Sequence, residues 1–470
     1  MSGEDAAAAG SNGSGAAPRG PDRRPALPPG PYVVVGLARS GVAAALTLVS
    51  RGETVWALDS GPSDSPALQV ASARLREAGV MVALGERARF DGELARRARA
   101  IVKSPGVPRE APVVQAALGA GLAVLGELEL AWRLLPNRFI AVTGTNGKTT
   151  TTEWIGHILR LAGRPVAVAG NVGTALSSLI GEVGREATIV CECSSFQLED
   201  TLAFAPEVAV LLNLAPDHLD RHGTFERYVA AKLRIFANQR NEDVAVAPLG
   251  LGVEDLGGCA RRVCVGDGPG AELSHQSGEL WWDEQPLLAA REISLPGAHN
   301  RANAMAAAAA CLAAGLERDA VAEGLRTFPG VAHRLERLGE VAGVAYVNDS
   351  KATNVDSTLV ALAAFGGGVH LILGGRGKAQ DFAPLAAPVA AHCRVVYLIG
   401  EAAGEIGRAL HGAGVELVDA QTLERAVEGA AHAAAPGETV LLSPACASYD
   451  QFSDFEARGD AFRALVAALR

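Results

Sequence analysis

The stretch Phe139-Ile140-Ala141-Val142-Thr143-Gly144-Thr145-Asn146-Gly147-Lys148-Thr149-Thr150 constrains this chain more than any other. A short apolar run ends in a turn of small residues. Lys-Thr-Thr and a helical pattern (Glu153, Trp154, Ile158, Leu159) follow. The order predicts strand, phosphate loop, helix. Small residues let backbone N–H groups close around phosphate oxygens at a helix N-terminus. Lys148 then reaches the terminal phosphates, and the Thr149 hydroxyl is placed to ligate Mg²⁺. The strict phosphate-loop pattern is broken, because Val142 stands where its first Gly belongs. A ligand-free strand-to-helix turn has the same order of residues, but Gly-Lys-Thr directly behind a buried strand favours phosphate.

A length of 470 residues predicts about three domains. A net charge of −10 disfavours a nucleic-acid partner. The seven Cys include no Cys-x-x-Cys, which argues against zinc and for thiols in a reducing interior. Residues 1–30, mostly Ala, Gly, Ser and Pro, carry no signal-peptide pattern and are expected to be a disordered tail. The apolar stretch Ala304–Leu316 is too short to span a bilayer. A cytoplasmic protein without membrane insertion is expected.

Three α/β domains are predicted: 31–126, 127–333 and 334–470. In the first, the strand Tyr32–Val35 runs into Gly36-Leu37-Ala38-Arg39-Ser40-Gly41 and an apolar helix. A second strand ends in Asp59. This is the spacing of a Rossmann-like unit, with Ala38 replacing the Gly that lets a pyrophosphate approach. Asp59 is placed to hold a ribose or a base, and a purely structural turn fits the same residues. Ser104-Pro105-Gly106 closes a further strand at the edge where α/β ligands usually sit.

In the central domain, Asn171 offers an amide in a Gly-rich loop, and Glu192 ends an apolar strand. A buried carboxylate is costly unless paired, and a metal would account for it. Asp217 and His218 follow the next strand. His218 is a metal-ligand candidate because of that company. On the helix read from Thr224 to Asn238, Phe225, Tyr228, Lys232 and Ile235 share one face, so Lys232 lies on the apolar side. It either snorkels or is paired or chemically altered within a site. Asn300 and Asn303 share a face near a helix N-terminus, where amides read an adenine edge or cap the helix. In the third domain, strands Val344–Asn348, Val369–Leu373, Val395–Ile399 and Thr439–Leu442 predict a mostly parallel sheet. Polar loops at 348–354, 374–378 and 443–452 follow three of them and suit an anionic substrate.

Together these residues closely resemble the ATP-dependent Mur ligases. Gly144–Thr150 matches the variant phosphate loop of that family, Pro296–Asn303 its His-Asn-x-x-Asn element, and Asn348–Thr353 its Asp-Ser-Lys-(Ala)-Thr element. Ser194–Glu199 and Ala447–Phe452 are similar to the member that adds D-glutamate. The resemblance covers nearly the whole chain after residue 30. It implies a Rossmann-like N-terminal domain, a central phosphate-loop domain and a Rossmann-like C-terminal domain. The substrates implied are ATP, UDP-N-acetylmuramoyl-L-alanine and D-glutamate, joined through an acyl phosphate in peptidoglycan precursor synthesis. The UDP-substrate would meet Leu37, Ala38, Arg39, Ser40, Gly41, Asp59, Ser104, Gly106 and Asn171. ATP would meet Gly144, Thr145, Asn146, Gly147, Lys148, Thr149, Thr150, Asn300, Asn303, Arg334, Asp349 and Lys351. Thr149, Glu192 and His218 would hold Mg²⁺, with Mn²⁺ as the alternative. Lys232 matches the lysine that the family carries as an anionic carbamate beside that metal. Thr353, Lys378, Ser448 and Phe455 would hold D-glutamate. Lys148, Lys232, His218 and Glu192 form the catalytic set. The protein is expected to be a monomer. The family often has an acidic residue where Arg376 stands, which bears on the role of Lys378.

Three other readings use the same residues. A sibling ligase would share the ATP site and accept another amino acid. A nicotinamide oxidoreductase would rest on Gly36–Gly41 alone. A non-catalytic nucleotide-binding module would leave the polar loops of the third domain without a task.

Overall fold

The computed structural model describes residues 24–252, 255–377 and 380–469. The chain divides into two compact units, Met1–Phe328 and Pro329–Arg470.

The first unit contains two sheets. Strands β1 (Tyr32–Val35), β2 (Val55–Asp59), β3 (Met81–Leu84), β4 (Ala100–Lys103) and β5 (Ala123–Gly126) lie in the order β3-β2-β1-β4-β5, all parallel. The central strands β1 and β4 are buried along their whole length, as a parallel sheet covered on both faces requires. The second sheet has nine strands: β6 (Arg138–Thr143), β7 (Val166–Gly170), β8 (Thr188–Glu192), β9 (Val208–Leu211), β10 (Val244–Pro248), β11 (Arg261–Asp267), β12 (Leu273–Gln276), β13 (Glu279–Trp282) and β14 (Gln285–Ala289). Their order is β14-β13-β12-β11-β10-β9-β6-β8-β7, and only β13 runs antiparallel to its neighbours. Strand β6 lies between β8 and β9, so their C-terminal ends share one edge. Val142 pairs with Glu192, and Thr143 with Leu211.

The helix Lys148–Leu161 returns across this sheet and packs on the Ala-rich helix Ala298–Ala313 and on Arg318–Thr327. Small side chains allow that close approach: Ala304 and Ala307 through Ala310 are fully buried. Trp154 stacks on Phe328 at 4.6 Å, and its Nε1 donates to the Gly324 carbonyl at 3.1 Å. Phe328 is thereby held in the first unit, which ends at Phe328.

In the second unit, β15 (Glu336–Val341), β16 (Val344–Asn348), β17 (Val369–Gly374), β18 (Cys393–Ile399), β19 (Glu416–Gln421) and β20 (Thr439–Leu442) lie in the order β15-β16-β20-β17-β18-β19. All pairs are parallel except β15 with β16. Sequence periodicity identifies β16, β17, β18 and β20 and misses the two edge strands. Strand β15 (Glu-Arg-Leu-Gly-Glu-Val) is charged and nowhere buried, so it carries no apolar run.

Two further expectations are corrected. The helix read over 224–238 ends at Leu233; Ile235 and Phe236 are buried in the turns that follow. Residues 24–30, read as part of a disordered tail, are docked. The Arg24 guanidinium lies 5.2 Å from the Trp132 ring and 5.4 Å from Phe139, and donates to the Asn137 carbonyl. Arg133 donates to the Ala26 carbonyl at 2.9 Å, and Leu27 packs on the core of the first sheet. Low-complexity composition concealed this, because two side chains supply most of the contact. Residues 1–23 lie outside the described residues. Arg24→Ala should lower stability by about 1–2 kcal/mol through loss of the cation–π contacts. An unchanged urea midpoint would show that the arm contributes nothing.

Candidate active site

The phosphate loop is built as its sequence suggests. Gly147, at φ 85°, starts the helix Lys148–Leu161. A Cβ on Gly147 would lie 2.2 Å from Asn303 Oδ1, so the glycine is needed for both its backbone angle and its space. Asn303, from the Ala-rich helix, therefore covers the loop. Asn300, one turn earlier, donates to the Pro296 carbonyl at 2.8 Å. The loop is also tied to the segment after β9. Thr145 N donates to the Asn213 carbonyl at 3.1 Å, and Asn146 and Asn213 exchange two hydrogen bonds at 2.9 and 3.0 Å. Thr145 Oγ1 meets the Tyr228 hydroxyl at 2.9 Å. Sequence reasoning did not single out Asn213 or Tyr228 for this. The available signals were a polar residue at a strand end and a tyrosine one turn before Lys232.

Two ammonium groups converge on one acceptor in this loop. Lys148 Nζ donates to the Gly144 carbonyl at 3.0 Å and to Thr145 O at 2.8 Å. Lys232 Nζ donates to the same Gly144 carbonyl at 2.7 Å. Lys232 is 2% exposed, and its Nζ lies 4.6 Å from the Tyr228 ring centroid. Burial, reinforced by the like charge of Lys148, pushes the Lys232 ammonium down to about 7; Asp217, Cys193 and Glu192 oppose the shift. The choice left by the sequence is thus resolved against snorkelling: the amine is buried at the site.

Glu192 is 4% exposed at the end of β8. Its Oε1 accepts from Asn171 Nδ2 at 3.0 Å, and its backbone carbonyl accepts from Asn171 N at 2.9 Å. Asn171 therefore orients Glu192. His218, half-exposed and at φ 51°, begins the helix Leu219–His222; its Nε2 is 3.5 Å from Asp217 Oδ2, and its ring lies 4.9 Å from Phe196. Among the described residues, no three His, Cys, Asp or Glu side chains gather as a metal cage. The Glu192 carboxylate and the Thr149 hydroxyl are the oxygen donors that suit Mg²⁺, which takes few protein ligands and shares its shell with phosphates and water; the His218 imidazole is the less suited member of the set. Cys191 and Cys193 flank Glu192 with sulfurs 3.4 Å apart, both buried and free.

At the first sheet, Asp59 shapes the Gly36–Gly41 turn. Its carboxylate accepts from Leu37 N at 2.7 Å and Gly61 N at 2.8 Å. The Leu37 side chain belongs to the core, and its N–H is engaged by Asp59, so neither is offered to a ligand. Gly41 packs so closely that a Cβ would lie 1.8 Å from the Gly36 carbonyl. Ser104 Oγ donates to that carbonyl at 2.7 Å. Arg39 reaches Gly173 O, in the loop after β7, at 3.2 Å. Ala38, Arg39 and Gly106 are exposed, and Ser40 is half-buried.

In the second unit, the loops after β16, β17 and β20 share one edge: Asp349 N donates to Leu442 O, and Gly374 N to Pro444 O. Asp349 is buried and accepts from Leu335 N at 3.1 Å and Ser443 Oγ at 2.8 Å. Burial pushes its carboxyl up to about 6. Arg334 is exposed and Lys351 and Thr353 half-buried; Ser448 is buried. The Phe455 carbonyl accepts from Ser350 Oγ at 2.8 Å. Arg458, not singled out from the sequence, is 1% exposed and donates to Ser350 Oγ, Ser350 O and Cys446 O at 3.0, 2.8 and 3.1 Å. Its signal was a cation on the apolar stripe Phe455, Arg458, Phe462, Val466. Arg376 makes a bidentate contact with Glu401 at 2.9 and 3.0 Å, so its charge is neutralised within the protein. Lys378 lies outside the described residues.

Three family models match the chain: the Mur ligase MurD-like N-terminal domain over residues 31–126, the Mur ligase middle domain over 142–252, and the Mur ligase glutamate ligase domain over 333–446. A UDP-N-acetylmuramoylalanine--D-glutamate ligase of Acidobacterium capsulatum is 41% identical, covering 93% of this chain and 96% of its own. One of Pelotomaculum thermopropionicum is 42% identical, covering 93% and 97%. Among solved structures, the UDP-N-acetylmuramate-alanine ligase MurC of Thermotoga maritima shares the fold, with a TM-score of 0.57, 18% identity and coverage of 94% of this chain and 100% of that one. On the full-length relatives and the three domain models alike, this chain belongs to the Mur ligase family, in its MurD-like branch.

Proposed function

We infer that this chain is an ATP-dependent ligase that joins D-glutamate to UDP-N-acetylmuramoyl-L-alanine in the cytoplasm, for peptidoglycan precursor synthesis. Its relatives bear the name of that reaction. The observation that carries the reading is the convergence of Lys148 and Lys232 on the Gly144 carbonyl, next to the strand that ends in Glu192. In this reading residues 31–126 bind the UDP-substrate, 127–333 bind ATP and 334–470 bind D-glutamate. The chain acts as a monomer.

The chemistry is carboxylate activation. An oxygen of the terminal L-alanine carboxylate attacks the γ-phosphorus of ATP, and ADP leaves. The D-glutamate amine then attacks the carbonyl carbon of the acyl phosphate. The C–O bond breaks, phosphate departs, and the amine proton is released. Mg²⁺, when bound, offsets charge on the transferring phosphoryl group. Lys148 supplies a point charge to the same oxygens, and the N–H groups of Gly144–Thr150 hold the phosphates. Glu192, oriented by Asn171, and His218 supply metal ligands, with Thr149. Asn300, Asn303, Arg334, Asp349 and Lys351 position the nucleotide. Thr353, Lys378, Ser448 and Phe455 position the amino acid, in loops braced by Arg458.

Lys232 acts as a carbamate. Only a neutral amine adds CO₂, and an amine pushed down to about 7 is largely neutral at slightly alkaline pH. Below pH 7 the ammonium form dominates, so carbamate is favoured as pH rises and lost as it falls. The product would place a negative charge beside Lys148 in place of a costly buried cation, and Lys232 in that form would be available to hold Mg²⁺.

Three outcomes test these points. Phosphate release with UDP-N-acetylmuramoyl-L-alanine and ATP should require D-glutamate, with L-alanine, L-lysine and diaminopimelate inactive. Turnover with one of those instead would move the chain to a sibling activity. Lys232→Ala should reduce kcat by about 100-fold or more, the scale of one lost electrostatic group, and short carboxylic acids should restore part of it. Full activity without rescue would remove the carbamate. Carbon-13 NMR in labelled bicarbonate should show a Lys232 carbamate signal at pH 8 that is lost by pH 6; equal signals at both would contradict the titration.

A further inference from the structure

We propose that Arg221 is a positioning residue that couples the Ser104–Val107 loop of the first sheet to His218 at the edge of the second. The proposal rests on the ligase reading above.

The loop after β4 is held by two cations that meet on one carbonyl. Lys103 Nζ donates to Val107 O at 2.7 Å, and Arg221 Nη2 donates to the same oxygen at 3.1 Å. Lys103 ends a strand of the first sheet. Arg221 lies in the helix Leu219–His222, whose N-cap is His218. Beneath them, Lys103 and Asp200 form an ion pair at 2.7 Å with both side chains excluded from solvent. Asp200 closes the helix Ser195–Glu199, and its carbonyl accepts from Gly126 N at 3.1 Å. The helix that follows Glu192 and the helix that follows His218 are thus both fastened to the first sheet.

The guanidinium does a second job. It lies 4.8 Å from the centroid of Phe196, and it reaches Glu199 Oε2 at 3.8 Å. The Phe196 ring meets His218 at 4.9 Å and stacks on His222 at 5.4 Å. His222 Nε2 in turn meets Ser195 Oγ at 3.0 Å. A continuous path runs Val107 O, Arg221, Phe196, His218. Arginine can give in-plane N–H groups to a carbonyl while its planar face stacks on an aromatic ring; a lysine ammonium can donate and lie near a ring but has no planar face to stack. At the other end of the path, Ser104 Oγ holds the Gly36 carbonyl at 2.7 Å, in the turn expected to meet the UDP-substrate. A ligand that shifts this turn shifts the loop, and with it the residue that seats the His218 ring. In the ligase reading the UDP end of the substrate is bound from the first sheet and the candidate metal ligands stand on the second, so a link between the sheets bears on the reaction.

The test is calorimetric titration of UDP-N-acetylmuramoyl-L-alanine into the full chain, with and without Mg²⁺ plus a non-hydrolysable ATP analogue. The ratio of the two Kd values is the coupling, and linkage makes it reciprocal. The wild type should show a ratio of about fivefold or more, the lower end of ordinary coupling. Arg221→Ala should bring the ratio to within about twofold of unity while binding the analogue as tightly as the wild type. Arg221→Lys, which keeps a donor for Val107 and a charge for Glu199, should fall between the two and serves as the variant if the alanine form does not fold. An unaltered ratio in either variant, or an equal loss of UDP-substrate affinity with and without nucleotide, overturns the coupling and leaves Arg221 a structural residue. A wild-type ratio of unity overturns it as well. Wild-type turnover with D-glutamate, measured alongside, separates these results from failure of the ligase reading, in which neither UDP-substrate binding nor turnover would be seen.

Discussion

The Gly144 carbonyl is the acceptor on which this site depends. It receives both Lys148 and Lys232, and two ammonium groups cannot share one oxygen in a buried place without cost. The cost falls on Lys232, which is the more deeply enclosed and gives up its proton near neutrality. A buried lysine that is neutral at working pH is a nucleophile toward CO₂. Lys148, half-buried at the start of its helix, is the lysine that meets phosphate in the ligase reading. Burial, reinforced by the neighbouring charge, thus separates two identical side chains that share one acceptor.

Placement of these groups follows from strand order. With β6 between β8 and β9, the phosphate loop, Glu192 and the Asn213–His218 segment emerge at one edge. Each is then locked by a local polar pair: Asn213 on Asn146, Asn171 on Glu192, Tyr228 on Thr145. Phosphoryl transfer asks the protein mainly for positioning and charge, and rigid elements carrying short polar loops provide both. The second unit repeats the plan with loops after β16, β17 and β20, the first and last of them tied by the buried Arg458.

Much of this was legible in the sequence wherever function is encoded locally. The phosphate loop is contiguous, and its glycines announce themselves. Lys232 could be flagged because a charge on an apolar helical face is anomalous. Arg458 sits on a similar stripe and could have been flagged for the same reason. Other features depend on pairs far apart in the chain. Nothing in Asn213, Tyr228 or Arg221 states its partner, and a half-exposed edge such as β15 has no apolar period to read. Leu37 shows the converse. It lies within the turn where a ligand is expected, yet its side chain went to the core and its amide to Asp59, because a strand-to-helix turn must also satisfy its own interior. Arg376, where the resemblance leads one to expect an acidic residue, makes a bidentate contact with Glu401 at the surface.

The central claim is that the L-alanine carboxylate of the UDP-substrate is itself phosphorylated. It is tested by supplying UDP-N-acetylmuramoyl-L-alanine with both carboxylate oxygens as oxygen-18 and weighing the phosphate released on addition of ATP and D-glutamate. Attack of a carboxylate oxygen on the γ-phosphorus predicts one heavy oxygen in each phosphate, with the other retained in the new amide. Unlabelled phosphate alongside product formation would contradict the acyl phosphate, and with it the roles given to Lys148 and Lys232.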